Sequence, residues 1–170
     1  MEFVKFKQGG IDFMTGLQPS AREAVLNKEG QFDKAFTDNY QCSKFSFLNT
    51  EYIGFQLDDN FYDSRKDPML KAKIRQALSL SIDRKGLVRY RRNNIGNPHV
   101  RGFTPEVLSH HYSDMDTLEF NPKKARELLA YLGYDGTNKP KIHLHGTMQY
   151  KDIMGYLVKG WTQVGFDVEL

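Results

Sequence analysis

The chain has 170 residues, of which 39% are hydrophobic and 13% aromatic, so it has enough apolar side chains for a packed core in one domain or pieces of two. Its net charge of +3 is small and gives no strong push toward nucleic acid or an anionic membrane. No apolar run approaches the roughly 18 residues of a membrane span. The single cysteine, Cys42, excludes an internal disulfide and a multi-cysteine zinc site.

Two short helices are predicted near the N-terminus. The sequence "EFVKFK" is typical of a helix tail, which Gly9 and Gly10 would end. The following "IDFM" predicts a short strand. Ser20 and Glu23 have the spacing of a capping box, which predicts a helix over about residues 21–28.

The next part of the chain contains many β-forming residues. Residues 45–57 are rich in Phe, Tyr, Thr and Ile, which predicts extended backbone with a bulge at Gly54. A polar loop follows, and Pro68 has the position of a first helical residue, where its missing amide costs nothing.

The stretch "IRQALSLSIDRKGLV" predicts a corner between two helices. Asp83 would cap the second helix, which begins at Arg84, by accepting hydrogen bonds from its first amides. We expect Arg75 to cover apolar surface with its stem while its charged head stays exposed or pairs with a nearby acid. The apolar face of the first helix comprises Ile74, Ala77, Leu78 and Leu80 to Ile82.

The sequence "FNPKKARELLAYLGY" predicts a helix with clear ends. Asn121 caps it, Pro122 takes the first helical position, and Gly133 ends it. The expected buried stripe comprises Ala125, Leu128, Leu129 and Leu132.

A strand–helix–strand unit is predicted at the C-terminal end. In "KIHLHG", apolar and histidine side chains alternate, which is typical of a strand. A helix that Gly165 ends and the alternating "FDVEL" come next. Short links between these elements predict a crossover between two parallel strands. The predicted apolar face of the helix comprises Ile153, Leu157, Trp161 and Val164.

The residues alone give only weak signals for a metal site, a catalytic site or a nucleic-acid site. His143 and His145 share a strand face as in some zinc or copper sites, but further ligands at fixed spacing are absent, so cleft-edge or solvated histidines are favoured. No nucleophile motif, phosphate-binding glycine loop or zinc-protease motif occurs, which disfavours an enzyme. A basic cluster is predicted to form a solvated helix face rather than a nucleic-acid site; it comprises Arg84, Lys85, Arg89, Arg91 and Arg92.

The order of these motifs resembles the family 5 extracellular solute-binding proteins, which serve peptide-type ABC importers. The "IRQALSLSIDR" helix and turn, the linking "GNPHVRGFTP", the "NPKKA" helix ending in Gly-Tyr, and "GFDVEL" occur in the order typical of that family. "FKQGGIDF" is similar to its upstream helix–Gly segment, so the resemblance runs from about Val4 to Leu170.

The resemblance implies an α/β fold, as part of a two-lobed type II periplasmic-binding-protein fold with a βαβ unit at its C-terminal end. Residues 1–48 would belong to the larger lobe and residues 49–170 to the front of the second lobe, with residues 52–57 near the crossing between lobes. The chain resembles an internal fragment of such a receptor, lacks a signal peptide of its own, and would not bind solute alone.

The resemblance also implies function. The receptor would be a periplasmic protein or a cell-surface lipoprotein, and a monomer. It would bind a peptide or a similar solute between its lobes and deliver it to ABC permease subunits. No nucleic acid, metal, cofactor or catalysis is implied, and the family's ligands also include nickel complexes, haem and sugars. Because ligands lie beyond the carboxyl ends of strands, the candidate binding residues are Thr147, Gln149 and Tyr150 in one loop and Asn97, His99 and Arg101 in another.

Two alternatives stay open at this point. The same domain occurs in cytoplasmic transcriptional regulators, where it senses a small molecule. A stand-alone metal-binding module built on His143 and His145 is the other. An N-terminal DNA-binding segment in the gene would favour the first, and bound metal that depends on both histidines would favour the second.

Overall fold

The computed structural model describes residues 2–45, 47–57, 72–98, 102–105, 108 and 117–170. Residue contacts divide the chain into two compact units. Unit 1 comprises Met1–Ser46 and Lys85–Asn97, and unit 2 comprises Phe47–Arg84 and Pro98–Leu170. These units are groups of mutual contacts, and the assignment of residues 1–48 and 49–170 to two lobes stays a prediction.

Unit 1 consists of short helices and the loops that join them. Helix α5 begins at Arg84, which belongs to unit 2, and continues into unit 1. The helices are α1 (Glu2–Lys7), α2 (Pro19–Val25), α3 (Lys34–Thr37) and α5 (Arg84–Arg91).

Two of the predictions for unit 1 are confirmed in outline and two are wrong in detail. The N-terminal helix α1 forms and ends before Gly9, which has a φ of 71°. The "IDFM" segment forms no strand. Helix α2 exists, but its N-cap is Gln18, which makes no side-chain capping bond. Ser20 therefore lies inside the helix and the capping box is absent, because Pro19 starts the helix earlier than expected.

The end of α5 is fastened to α2 and the loop that follows it within unit 1. Arg22 Nη1 donates a hydrogen bond to the Arg91 carbonyl at 2.7 Å, and Asn94 Nδ2 donates to the Lys28 carbonyl at 2.7 Å. Asn94 has a left-handed φ of 55°, which asparagine tolerates better than most residues. Gly30 also has a positive φ, 74°, and a Cβ there would lie 2.5 Å from the Asn93 carbonyl oxygen, so glycine is required.

Unit 2 contains the longer helices and the only β-sheet found in the part of the chain that the structure describes. Its helices pack against one another, and α7 covers the sheet. The elements are α4 (Ala72–Leu80), α6 (Pro122–Tyr131), β1 (Lys141–His143), α7 (Lys151–Val164) and β2 (Asp167–Glu169), with a 3-10 turn at Met148–Tyr150.

The predicted strand–helix–strand unit is confirmed. Strands β1 and β2 are parallel, and Ile142 pairs with Val168. Ile142 is buried while His143 is exposed, as the alternation predicted. Gly165 ends α7 in a left-handed conformation with a φ of 117°. Side chains buried around α7 are Leu157, Trp161, Val164 and Phe166.

Helix α6 has the predicted ends and only half of the predicted buried stripe. The Asn121 side chain accepts a hydrogen bond from the Lys124 amide at 2.9 Å, so the cap is confirmed. Ala125 and Leu129 are buried, whereas Leu128 and Leu132 are half-buried. The stripe is therefore narrower than the spacing predicted.

The carboxyl end of α4 is buried, and long-range donors satisfy its last carbonyls. A helix leaves its last four carbonyls without partners inside the helix. Here Trp161 Nε1 donates to the Leu78 carbonyl at 3.1 Å, and the Asn121 amide donates to the Leu80 carbonyl at 2.8 Å. These bonds join α4 to α7 and to the start of α6.

The other two carbonyls of this helix end, those of Ala77 and Ser79, accept hydrogen bonds from side chains of the corner. Ser81, which is buried, donates its hydroxyl to the Ala77 carbonyl at 2.5 Å. Arg84 donates to the Ser79 carbonyl at 3.2 Å, to the Ser79 hydroxyl at 2.8 Å and to the Leu118 carbonyl at 3.3 Å. The predicted corner after α4 is confirmed, while the capping bond of Asp83 stays a prediction.

The stretch predicted to be extended, residues 45–57, forms no strand in its described part. Its aromatic side chains, including Phe45 and Phe47, are largely exposed. Pro68, the predicted first residue of a helix, lies outside the described residues. None of the described helices combines the length and the apolar character needed to cross a membrane.

Candidate functional site

The loop after β1 lies at the carboxyl edge of the sheet, as predicted. The Leu144 amide donates to the Glu169 carbonyl at 2.8 Å, which extends the pairing with β2 by one residue. The chain then leaves the sheet, and the Tyr150 amide donates to the Thr147 carbonyl at 2.9 Å as the 3-10 turn forms. Helix α7 follows directly, so the loop bridges a strand end and a helix start.

The side chains of this loop are available to solvent. Thr147 and Gln149 are exposed, Tyr150 is half-buried, and Met148 between them is 78% exposed. Thr147 and Tyr150 occupy N-cap positions, but neither side chain makes a capping hydrogen bond. Amide, hydroxyl and phenol groups can both donate and accept hydrogen bonds, which suits the main-chain groups of a peptide.

Glycine allows the start of this loop to pass close to α7. A Cβ at Gly146 would lie 2.5 Å from Met154 Sδ, so any larger residue would displace the methionine. The loop is thus held between the β1–β2 pairing on one side and α7 on the other.

The second predicted loop is described only in part. Asn97 is exposed and belongs to unit 1. His99 and Arg101 lie outside the described residues, so their roles stay predictions. Gly102 has a φ of 62°, a conformation that glycine adopts without strain and that fits the expected close backbone approach.

Phe103, just after this loop, forms an exposed aromatic pair with the distant Tyr52. The sequence did not predict this pair. The rings of Tyr52 and Phe103 meet edge to face with centroids 5.1 Å apart, and the Thr50 hydroxyl donates to the Phe103 carbonyl at 2.9 Å. The side chains of the pair are 71% and 61% exposed. No local pattern links residues about fifty positions apart, so only the fold reveals the contact.

The exposed face of the sheet carries a charged cluster. Lys141 Nζ lies 2.5 Å from Glu169 Oε1, and His143 Nδ1 lies 3.3 Å from Glu169 Oε2. The hydrogen bond from Lys141 lowers the pKa of the Glu169 carboxyl below its ordinary value, and the same bond raises the pKa of Lys141. Among the described residues, no three His, Cys, Asp or Glu side chains converge as a metal site requires.

The prediction that the basic cluster forms one solvated helix face is wrong for Arg84. Its guanidinium donates to Ser79 and Leu118 rather than to solvent, and burial lowers its pKa. Lys85, Arg89 and Arg91 are exposed.

A groove of about 360 Å³ lies at the opposite end of unit 2. It is bounded by the turn that precedes β1 and by the end of α7 that precedes β2. It therefore lies at the amino ends of the strands, away from the edge where α/β proteins bind ligands. Residues lining it include Arg126, Leu129, Tyr134, Lys139, Gln163 and Gly165.

The chain as a whole matches one protein family. The family described as "Bacterial extracellular solute-binding proteins, family 5 Middle" matches residues 2–170. The chain belongs to this family. The resemblance of the sequence motifs is confirmed, and members of the family are solute-binding components of transport systems.

Relatives of this family 5 chain include a curated protein and solved structures. "Heme-binding protein A" of Haemophilus influenzae is 29% identical over 87 residues, which is 51% of this chain and 14% of that protein. NikA of Staphylococcus aureus, solved in complex with Ni(L-His)2, has a TM-score of 0.53 at 19% identity, over 62% of this chain and 23% of NikA. The unliganded open form of MppA, a periplasmic murein tripeptide binding protein, has a TM-score of 0.55 at 24% identity, over 64% of this chain and 22% of MppA.

These likenesses confirm the expected fold class for the family 5 chain. It is mixed α/β, and the similar structures are two-lobed type II periplasmic binding proteins. The chain spans about a seventh of the curated relative and less than a quarter of NikA and of MppA.

Proposed function

We propose that the protein is the substrate-binding component of an ABC importer. It binds a peptide or a similar small solute in a cleft between two lobes and delivers it to the membrane permease subunits. The observation that carries this proposal is the family match over residues 2–170. The protein works as a monomer in the periplasm or at the cell surface, where a lipid anchor would hold it.

Binding and release in such a receptor require no bond to be broken. A hinge between the lobes closes on the solute, and the closed form is the one that the permease recognises. A peptide is held by main-chain hydrogen bonds, and its side chains enter roomier pockets. We assign residues 1–48 to the larger lobe and residues 49–170 to the second lobe.

The loop of residues 146–150 is the proposed contact of this chain with the solute. Its support is the position at the carboxyl edge of β1, together with exposed Thr147 and Gln149. Tyr150 is the third proposed contact. Asn97, His99 and Arg101 are proposed to contact the solute from the preceding loop.

The solute class is tested by thermal unfolding of the full gene product in the presence of candidate ligands. A ligand that binds only the folded protein raises the melting temperature, by an amount that increases with the logarithm of the ligand concentration once that concentration exceeds the dissociation constant. The probes are pooled tri- and tetrapeptides, haem and the nickel–histidine complex, chosen because similar proteins bind a tripeptide, haem and nickel. We expect the peptides to stabilise the protein, and the absence of stabilisation by every probe would contradict the proposal.

The loop assignment is tested with a matched pair of double variants. Thr147→Ala with Gln149→Ala removes two side chains at the carboxyl edge, whereas Thr162→Ala with Gln163→Ala removes the same types at the far end of α7. Both pairs are exposed. By calorimetry we expect the first variant to bind the identified solute about tenfold more weakly, since each lost hydrogen bond is worth about 0.5–1.5 kcal/mol. Equal affinities of the two variants would exclude this loop.

A further inference from the structure

The proposed binding loops do not use the basic residues of α5. Lys85, Arg89 and Arg92 are spaced by four and three residues, which places them along one side of the helix. Arg92 follows the last helical residue, but its amide still donates to the Val88 carbonyl at 3.1 Å, so the helical path continues. These three residues are called the basic stripe below. Helix α5 itself contains no acidic residue.

Exposed aromatic and apolar side chains lie on, and just after, the helix that carries the basic stripe. Lys85 and Arg89 are exposed, and the guanidinium carbon of Arg89 lies 5.6 Å from the centroid of the Tyr90 ring. Tyr90 is 66% exposed and Ile95 is 41% exposed. A surface that combines cations with an exposed tyrosine and an aliphatic side chain fits the boundary between water and lipid headgroups.

The basic stripe is held on a folded base rather than on a loose segment. The bonds from Arg22 to Arg91 and from Asn94 to Lys28 hold its C-terminal end within unit 1. Lys28 adds a further cation in the attached loop, next to the acid Glu29. The positive charge of the basic stripe is carried by α5 and the residue after it, where no acidic residue offsets it along the helix, although the net charge of the whole chain is only +3.

We propose that the basic stripe, with Tyr90 and Ile95, binds the anionic headgroups of a phospholipid bilayer. The basic stripe complements a diffuse anionic surface rather than a single anion, because its cations are spread along the helix instead of converging on one point. Each cation near such a surface strengthens binding by a factor of about five, as about 1 kcal/mol implies. The contact would keep the protein at the membrane. It goes beyond the proposed function because it needs no solute.

Co-sedimentation of the full gene product with lipid vesicles tests this proposal. The vesicles contain phosphatidylglycerol mixed with phosphatidylcholine, and vesicles of phosphatidylcholine alone are the reference. Lys85→Glu with Arg89→Glu reverses two charges of the stripe. Lys123→Glu with Lys124→Glu reverses two exposed charges of α6 and changes the net charge equally.

We expect wild type to bind the anionic vesicles, the α5 variant to bind at least about twentyfold more weakly, and the α6 variant to bind nearly as wild type. High salt should weaken wild-type binding. Lys85→Gln with Arg89→Gln gives the same ranking with less disturbance of the fold, which circular dichroism verifies.

Three results would overturn the proposal: no binding to anionic vesicles at low salt, equal weakening by the α5 and α6 variants, or binding that requires permease protein in the bilayer. The last result would assign the stripe to an acidic protein partner instead. Calorimetry with the identified solute is run on the same variants. Unchanged solute affinity alongside lost vesicle binding separates this proposal from the proposed function.

Discussion

Trp161 and Leu78 are 83 residues apart, and the indole Nε1 of the first donates a hydrogen bond to the carbonyl of the second at 3.1 Å. Trp161 is only 2% exposed, so this donor is satisfied inside the protein rather than by solvent. The bond joins α7 to the end of α4. It thereby fastens the strand–helix–strand unit to the helices that precede it.

Replacing Trp161 by phenylalanine should destabilise unit 2. The change removes the donor to Leu78 and part of a buried ring, and we expect a loss of about 1–3 kcal/mol in the free energy of unfolding. Denaturant melts monitored by circular dichroism measure it. Tyr131→Phe is the control, because this ring is 74% exposed and should change stability by less than about 0.5 kcal/mol. Equal effects of the two changes would contradict the buried hydrogen bond.

Arg84 should stabilise the corner between α4 and α5. Arg84→Met keeps most of the side-chain length but removes the donors to Ser79 and Leu118. We expect a loss of about 1–3 kcal/mol in chemical denaturation, because the acceptors lose their partners in a half-buried site. Arg126→Met, at an exposed position of α6, should be nearly neutral. A neutral Arg84→Met would show that solvent replaces these bonds.

The two adjacent leucines of α6 should differ in their contribution to stability. Leu129 is 3% exposed, so Leu129→Ala should cost about 2–5 kcal/mol. Leu128 is half-buried, and Leu128→Ala should cost clearly less because solvent already reaches part of the side chain. Urea melts of the two variants, made at neighbouring positions of one helix, provide the comparison. Equal losses would contradict the difference in burial between Leu128 and Leu129.

The Lys141–Glu169 pair should make stability depend on pH in two separate ranges. The pKa of Glu169 is lowered by the hydrogen bond from Lys141, so its contribution is present above the ordinary carboxyl pKa of 4.5 and is lost as pH falls through the lowered value. The pKa of Lys141 is raised by the same bond, so its contribution is complete below 10.5 and is lost as pH rises through the raised value.

A pH series of melts on wild type and Glu169→Gln checks this pair. We expect a stability difference that disappears in acid and in strong base and shrinks with salt, since both side chains are about half exposed. Glu127→Gln, which affects a more exposed pair on α6, should show no comparable pH dependence. A difference that persists below the lowered pKa of Glu169 would exclude the ion pair as its cause.

The sequence by itself determined the helix ends and strand faces that depend only on residues close together in the chain. Asn121 caps α6, Gly165 ends α7, and the alternation around Ile142 predicts a strand with one apolar face. The parallel pairing of β1 with β2 also followed, because a strand that a helix connects to the next strand returns in the same direction. The family resemblance rested on these same motifs and was confirmed.

Local sequence signals gave incomplete predictions in two situations: where two nearby residues compete to start a helix, and where a residue's structural partner is distant in the sequence. Ser20 has the spacing of a capping box, but the helix starts at Pro19, two residues earlier than expected. Residues 45–57 have β-forming side chains and were predicted to be extended with a bulge at Gly54, but the described part is paired in no sheet, so a bulge has no strand pair to interrupt. Arg84 was expected in solvent with the other cations of α5 because nothing nearby marked its distant acceptor.

Only the tertiary structure decided which polar groups satisfy the buried end of α4. The donors from Trp161 and Asn121 come from other elements, and their partners follow from packing rather than from spacing along the chain. The same holds for the contact of Tyr52 with Phe103. Helix ends and strand faces depend on neighbours within a few residues, whereas these contacts depend on which surfaces meet when the chain folds.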